Sequence, residues 1–308
     1  MRVFNGIDAL PVFRNGVLTI GTFDGVHIGH QQILKQLRSS ADSIGGETIL
    51  LTFHPHPRLV LQTDNKVKLI NTIEEKAKIL EKFGLDNLII VPFDKRFSQM
   101  SPEQYIQSFL YKNIGPSRIV IGYDHRFGQN RSGGIDTFRN MSKDLGFEVE
   151  EISAQMINQI TVSSTKIREA LENGEIVTAN QLLGHRFFLS GKIVPGRKVG
   201  RTLGFPTANV ECSSPYKLIP ANGVYAIEAN LTGEIFHGMA NIGNRPTFDN
   251  GEKTIEAHLF NFEGDLYDRE IELYFHKFVR EEIKFSETSD LKSQLEEDKR
   301  RILKYFQS

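Results

Sequence analysis

Residues 17–30 read Val17-Leu18-Thr19-Ile20-Gly21-Thr22-Phe23-Asp24-Gly25-Val26-His27-Ile28-Gly29-His30. Four apolar or β-branched residues run into a glycine-punctuated turn, and the chain then enters a helix near Ile28. That order is a buried strand, a turn and a helix N-terminus. With the helix starting there, His27 and His30 lie about one turn apart and face the same way. The free N–H groups of a new helix attract anions, and two imidazoles beside them can donate to phosphate oxygens. Gly21, Phe23, Asp24, His27, Gly29 and His30 therefore form a candidate phosphate site, suited to ATP and to charge growing on a departing pyrophosphate.

Outward from this stretch, the first half repeats its grammar. Apolar runs at 48–53, 88–93, 119–122 and 147–152 alternate with amphipathic segments. One such segment is 102–113, where Tyr105, Ile106, Phe109 and Leu110 fall at helical spacing. Short buried strands separated by helices predict a parallel sheet covered on both faces, with ligands at the carboxyl ends of its strands. Ile121-Gly122-Tyr123-Asp124-His125-Arg126-Phe127-Gly128 follows another such strand and sits where an organic ligand is expected. His54-Pro55-His56-Pro57 reads as a rigid structural turn, because no third metal ligand accompanies the two histidines. Ser163-Ser164-Thr165-Lys166-Ile167-Arg168 opens a helix. Its hydroxyls are ordinary caps, but Lys166 and Arg168 oppose the helix dipole, and a bound triphosphate would offset that cost.

The pattern changes after Gly184. Segments 186–194, 223–231, 235–242, 254–260 and 269–275 are short, β-rich and separated by Gly, Pro and Asn, which predicts an antiparallel barrel or sandwich. An amphipathic helix over 289–306 follows, with Leu291, Leu295, Ile302 and Phe306 on one face. Its charged run 296–301 is expected to be solvated. The two domains are therefore expected at 1–184 and 185–308. The second carries two constellations. Gly196, Gly200 and Gly204 alternate with Arg197, Lys198 and Arg201 in a loop that suits phosphate. Beyond it Thr207 and Asn209, two apart on an extended segment, offer neutral oxygens to Mg²⁺. On 254–260, Ile255, Ala257 and Leu259 share a face, which leaves Glu256 and His258 on the other.

Composition bounds the function classes. The chain has 308 residues, 39% of them hydrophobic, and a formal net charge of −1. No broad nucleic-acid or anionic-membrane surface is expected from that balance. Cys212, the only cysteine, excludes an intrachain disulfide and reads as a small buried residue. The N-terminus lacks a signal pattern and no apolar run approaches spanning length, so a cytoplasmic protein without membrane partners is expected.

Taken in order, GTFDGVHIGH, TFHPHP, SSTKIR, GRTLGFPTAN and IEAHLFNF resemble the bacterial bifunctional riboflavin kinase/FAD synthetase family over nearly the whole chain. The resemblance implies an α/β fold: a Rossmann-like nucleotidyltransferase domain with a parallel sheet, then an antiparallel β-barrel flavokinase domain with a C-terminal helix. It implies phosphorylation of riboflavin by Mg²⁺-ATP to FMN, followed by adenylylation of FMN to FAD with release of pyrophosphate. By the same resemblance His27, His30, Ser164, Thr165 and Arg168 contact ATP phosphates. Asp124 and Phe127 fall near the flavin, Thr207 and Asn209 serve metal and phosphate, and Glu256 is the base of the kinase. Two alternatives remain open at this point: an adenylyltransferase whose second domain only binds flavin, and a flavin-sensing regulator.

Overall fold

The computed structural model describes residues 1–61, 67–123, 125–152, 162–196, 204–244 and 253–307. Its contacts divide the chain into two compact units, 1–67 with 73–163, and 68–72 with 164–308.

The first unit is a six-stranded sheet in the order β1-β4-β3-β2-β5-β6. The strands are β1 (Arg2–Asn5), β2 (Val17–Ile20), β3 (Thr48–His54), β4 (Asn87–Pro92), β5 (Arg118–Gly122) and β6 (Glu148–Ile152). Every pairing is parallel. β2 is buried at all four positions because helices cover both faces of the sheet. From β2 the chain builds outward through β3 and β4 on one side, then returns to place β5 and β6 on the other. The carboxyl ends of β2 and β5 therefore flank a topological switch point, where open α/β sheets bind ligands. The turns after these two strands are the ones singled out in sequence.

The segment predicted as a helix over 102–113 is helical, but its middle, Tyr105–Tyr111, winds as a π-helix. The wider turn brings Tyr105, Ile106, Phe109 and Leu110 together into the sheet's core. Such a bulge cannot be read from apolar spacing, since a 3.6-residue and a wider turn share the same first few positions.

The second unit is a closed six-stranded barrel, β10-β11-β8-β7-β12-β9. Its strands are β7 (Phe188–Val194), β8 (Ala208–Cys212), β9 (Gly223–Leu231), β10 (Glu234–Asn244), β11 (Lys253–Leu259) and β12 (Glu270–Arg280). All pairs are antiparallel. Strand alternation sends Tyr225, Ile227, Ala229, Leu273 and Phe275 into the barrel interior, where each is essentially inaccessible. The outer face is capped by the C-terminal helix Thr288–Gln307. Its Leu295, Ile302, Leu303 and Phe306 pack on Phe205, Val224, Ala226 and Met239. Cys212, expected to be buried, is only half-buried near the end of β8.

The helices Ser164–Glu172 and Ile176–Leu183 belong to the barrel's unit. The contact division thus falls earlier than the change of pattern at residue 184. These helices bury Ile167, Leu171, Ile176, Ala179 and Leu183, and Asn180 joins them to the barrel. Its Nδ2 donates to the Phe275 carbonyl at 2.9 Å, and its Oδ1 accepts from the Phe187 N–H at 2.6 Å. Residues 68–72 join the same unit. Leu69 bridges to Lys217, whose Nζ donates to the carbonyls of Ile70 and Phe188 at 2.7 Å each.

Candidate functional sites

In the first unit the helix Ile28–Ser43 begins one residue after His27, which is its N-cap. The His27 Nδ1 accepts the His30 N–H at 3.4 Å, leaving the proton of a neutral His27 ring on Nε2. The two imidazoles stack with centroids 3.7 Å apart and planes 16° from parallel. Phe23 lies against His30 at 4.6 Å. A side chain at Gly29 would press on the His27 ring at 3.2 Å, so the stack requires glycine or a shift there.

The turn before the helix is strained. Phe23 and Val26 are non-glycine residues at φ 47° and 42°, a cost of about 1–3 kcal/mol each. Three contacts hold it. Thr52 Oγ1 and Lys76 Nζ both donate to the Thr22 carbonyl, at 3.3 and 2.6 Å. Gln31 Nε2 donates to the Val26 carbonyl at 2.9 Å. His30 is half-buried, and its inaccessible Nδ1 meets no hydrogen-bond partner among the described residues. Burial, with His27 and Lys76 nearby, pushes its pKa well below the ordinary histidine value. A neutral imidazole with an unspent polar atom is therefore presented at the carboxyl end of β2.

Other sequence-predicted residues fall elsewhere. Phe127 is buried in the core, its ring tilted against Tyr105 and Phe138 at 5.2 and 4.6 Å. His56 accepts the Arg58 N–H on its Nδ1 at 3.1 Å, in keeping with a structural turn. Ser164, Thr165 and Arg168 lie on the first turns of a helix in the second unit, where Arg168 Nε donates to the Lys68 carbonyl at 2.8 Å. Asp124, Lys198, Gly200 and Arg201 lie outside the described residues.

The second constellation sits on the outer face of the barrel. β8 and β11 pair so that Asn209 stands opposite Glu256 and Ala208 opposite Ala257. The alanines turn inward, and Asn209 and Glu256 turn outward. Thr207 Oγ1 lies 3.5 Å from Glu256 Oε2. A side chain at Gly196 would fall 1.8 Å from Asn209 Nδ2, so that glycine makes room for the amide. At Gly204 φ is +82°, a conformation that glycine adopts without strain. Thr207 and Glu256 line a cavity of about 230 Å³ together with Asn241, His258, Arg280 and Glu282, partly roofed by the C-terminal helix. His258 Nδ1 donates to the Pro206 carbonyl at 2.8 Å, and burial lowers its pKa. A carboxylate, a hydroxyl and an amide oxygen at this strand pair form a hard, oxygen-rich donor set, which fits a small cation such as Mg²⁺ held with phosphates.

The family model described as FAD synthetase matches residues 11–166, and that described as riboflavin kinase matches 183–306. The bifunctional riboflavin kinase/FMN adenylyltransferase of Buchnera aphidicola subsp. Schizaphis graminum is 37% identical over 99% of each chain. That of Listeria monocytogenes is 38% identical, covering 95% of this chain and 93% of the relative. This chain belongs to the bifunctional riboflavin kinase/FMN adenylyltransferase family. A crystal structure of a macrolide-efflux protein from Streptococcus pneumoniae is also similar, with a TM-score of 0.87 and 26% identity over 97% of each chain. No helix among the described residues is long and apolar enough to cross a membrane.

Family membership leaves unassigned several residues at these sites that sequence reasoning passes over. Lys76 reaches the Gly21–His30 turn from the helix Ile73–Lys82, more than forty residues downstream, where it reads as one charge on a polar segment. The charged run 296–301, expected to be solvated, contains one fully buried residue. Asp298 has no accessible side-chain surface and takes Arg280 in a two-toothed ion pair, with Nε and Nη2 at 2.9 and 2.7 Å from Oδ2. Its other oxygen accepts from Gln294 Nε2 at 2.9 Å. The correction has a simple cause: Asp298 and Ile302 are spaced four apart on one helical face, and Arg280 supplies the counter-charge that permits burial.

Proposed function

We propose that this chain converts riboflavin to FMN and then FMN to FAD, in the cytoplasm, with its two units dividing the steps. The reading is carried by one observation: both family models match in succession along a chain that aligns with bifunctional relatives over nearly its full length.

In the second unit Glu256 is the general base. Its carboxylate takes the proton of the terminal ribityl hydroxyl of riboflavin as that oxygen attacks the γ-phosphorus of ATP, and ADP leaves. Thr207 and Asn209 would hold Mg²⁺, which would supply charge neutralisation for the nucleotide phosphates. Arg280 lines the same cavity, and Gly196, Lys198, Gly200, Arg201 and Gly204 are assigned to the phosphates.

In the first unit the phosphate oxygen of FMN attacks the α-phosphorus of a second ATP, and pyrophosphate departs. No covalent enzyme intermediate is needed, so the protein's work is placement and charge stabilisation. His30, held neutral, donates a hydrogen bond to the leaving group. His27 donates from Nε2 beside it. Asp124 is assigned to the flavin side.

The test is incubation of the full chain with riboflavin, ATP and Mg²⁺, with separation of riboflavin, FMN and FAD over time. FMN should rise first and FAD follow. FMN without FAD limits the reading to a kinase. FAD from supplied FMN but no FMN from riboflavin limits it to an adenylyltransferase.

A further inference from the structure

Lys76 is almost wholly buried, and its ammonium spends one donor, on the Thr22 carbonyl. It forms no ion pair with a carboxylate among the described residues. Asp24 is near enough to favour its charge, but burial dominates and brings its pKa down to about 8. A buried ammonium that makes no direct ion pair is costly to the free protein. A tie to one carbonyl does not offset this, since a neutral donor would serve the turn equally well. The same turn carries a second unspent polar atom, His30 Nδ1. Lys76 and His30 are close enough for the lysine's charge to depress the imidazole. A buried ammonium and an inaccessible ring nitrogen, both with hydrogen-bonding capacity left over, meet at the carboxyl end of β2, the end of an open sheet where ligands bind.

We propose that Lys76 is a phosphate-binding residue of the adenylyl-transfer site, steadied by the Thr22 carbonyl and directing its remaining N–H donors to the phosphates of ATP. The assignment rests on the reading of this turn as the FMN-adenylylating site. The bound anion supplies a direct ionic partner beyond the neighbouring Asp24, so the cost of burying Lys76 in the free protein becomes affinity for the nucleotide. Lys76 adds to burial and to His27 in depressing His30, so that a cation and a neutral imidazole stand side by side in the free protein.

The experiment compares the full chain with its Lys76→Met and Lys76→Arg variants. FAD formation from FMN is followed at varied ATP, FMN formation from riboflavin is followed separately, and urea unfolding is measured without ligand. Lys76→Met should lower kcat/KM for ATP in adenylylation by roughly 10- to 100-fold, the usual worth of a hydrogen bond to a charged group. It should leave riboflavin phosphorylation within about 2-fold and leave ligand-free stability equal or higher, because methionine fills the space without a buried charge. Lys76→Arg, which keeps the charge, should fall between. A Lys76→Met enzyme within about 3-fold of wild type for ATP overturns the proposal. So does a variant that loses stability or fails to fold, since that outcome makes Lys76 a structural tie of the turn. A wild-type chain that forms no FAD refutes the underlying reading of the site, and the Lys76 assignment falls with it.

Discussion

Replacing Glu256 by Gln keeps the shape of a side chain that faces Thr207 across 3.5 Å while removing its ability to accept a proton. Conversion of riboflavin to FMN should fall by about 100- to 10,000-fold in kcat, with riboflavin affinity by fluorescence changed little and FAD formation from supplied FMN intact. Near-normal kinase turnover would make Glu256 an ordinary outward strand residue. A second effect at this scale is pH-dependent. Lys76 has a native pKa of about 8 against an ordinary 10.5, so between those values the native state binds fewer protons than the unfolded one. Its contribution to unfolding free energy therefore rises with pH across that window and is least favourable below pH 8. Urea unfolding of the wild type minus that of Lys76→Met should show this rise, up to a few kcal/mol, and a flat difference would contradict it. The histidines were legible in sequence because a strand, glycines and His-x-x-His arrive in one short stretch. Lys76 was not, because its meaning depends on a contact with Thr22 made across the fold.

Among the elements, the C-terminal helix has the most to add to function. It roofs the cavity with Leu291 and Leu295 and ties itself to β12 through Asp298 and Arg280. Asp298→Ala would leave an arginine of 14% side-chain exposure facing a buried void. The second unit should lose about 3 kcal/mol, and phosphorylation of riboflavin should fall while adenylylation persists. The paired change Asp298→Leu with Arg280→Met should restore stability, by thermal unfolding, without restoring the kinase. If stability and activity return together, Arg280 is only a strut. The helix and its apolar face were predictable from periodicity. The buried carboxylate was not, because a run of six charged residues gives no sign of which one meets a counter-ion. The π-helical turn at Tyr105–Tyr111 was hidden for a related reason: the core it fills selects the wider winding after the local pattern is satisfied.

At the scale of the whole molecule, the domain edges decide what can be cut. A fragment of residues 164–308 should fold and phosphorylate riboflavin better than one of residues 185–308. The shorter piece loses Leu171, Ile176, Ala179 and Leu183 from the unit's core and the Asn180 bonds to Phe187 and Phe275. Burial of side chains of this size is worth roughly 1.5–3 kcal/mol each. Circular dichroism melting and FMN formation would compare the two, and equal behaviour would put the working boundary at residue 184 after all. The change from alternating α/β to β-rich grammar marks where strand pairing changes from parallel to antiparallel. It does not mark where contacts divide, because a helix can pack with whichever neighbour its apolar face fits. What the sequence determined by itself is therefore local: element type, the parallel and antiparallel classes, the glycine turn that brings His27 and His30 together and the outward direction of Glu256 from strand alternation. Only the tertiary structure decided which distant groups come together, as with Lys76 at the His27–His30 turn, Asp298 on Arg280 and two helices on the barrel. The reason is physical: periodicity records how a segment meets solvent, whereas burial of a charge depends on a partner the chain brings from elsewhere.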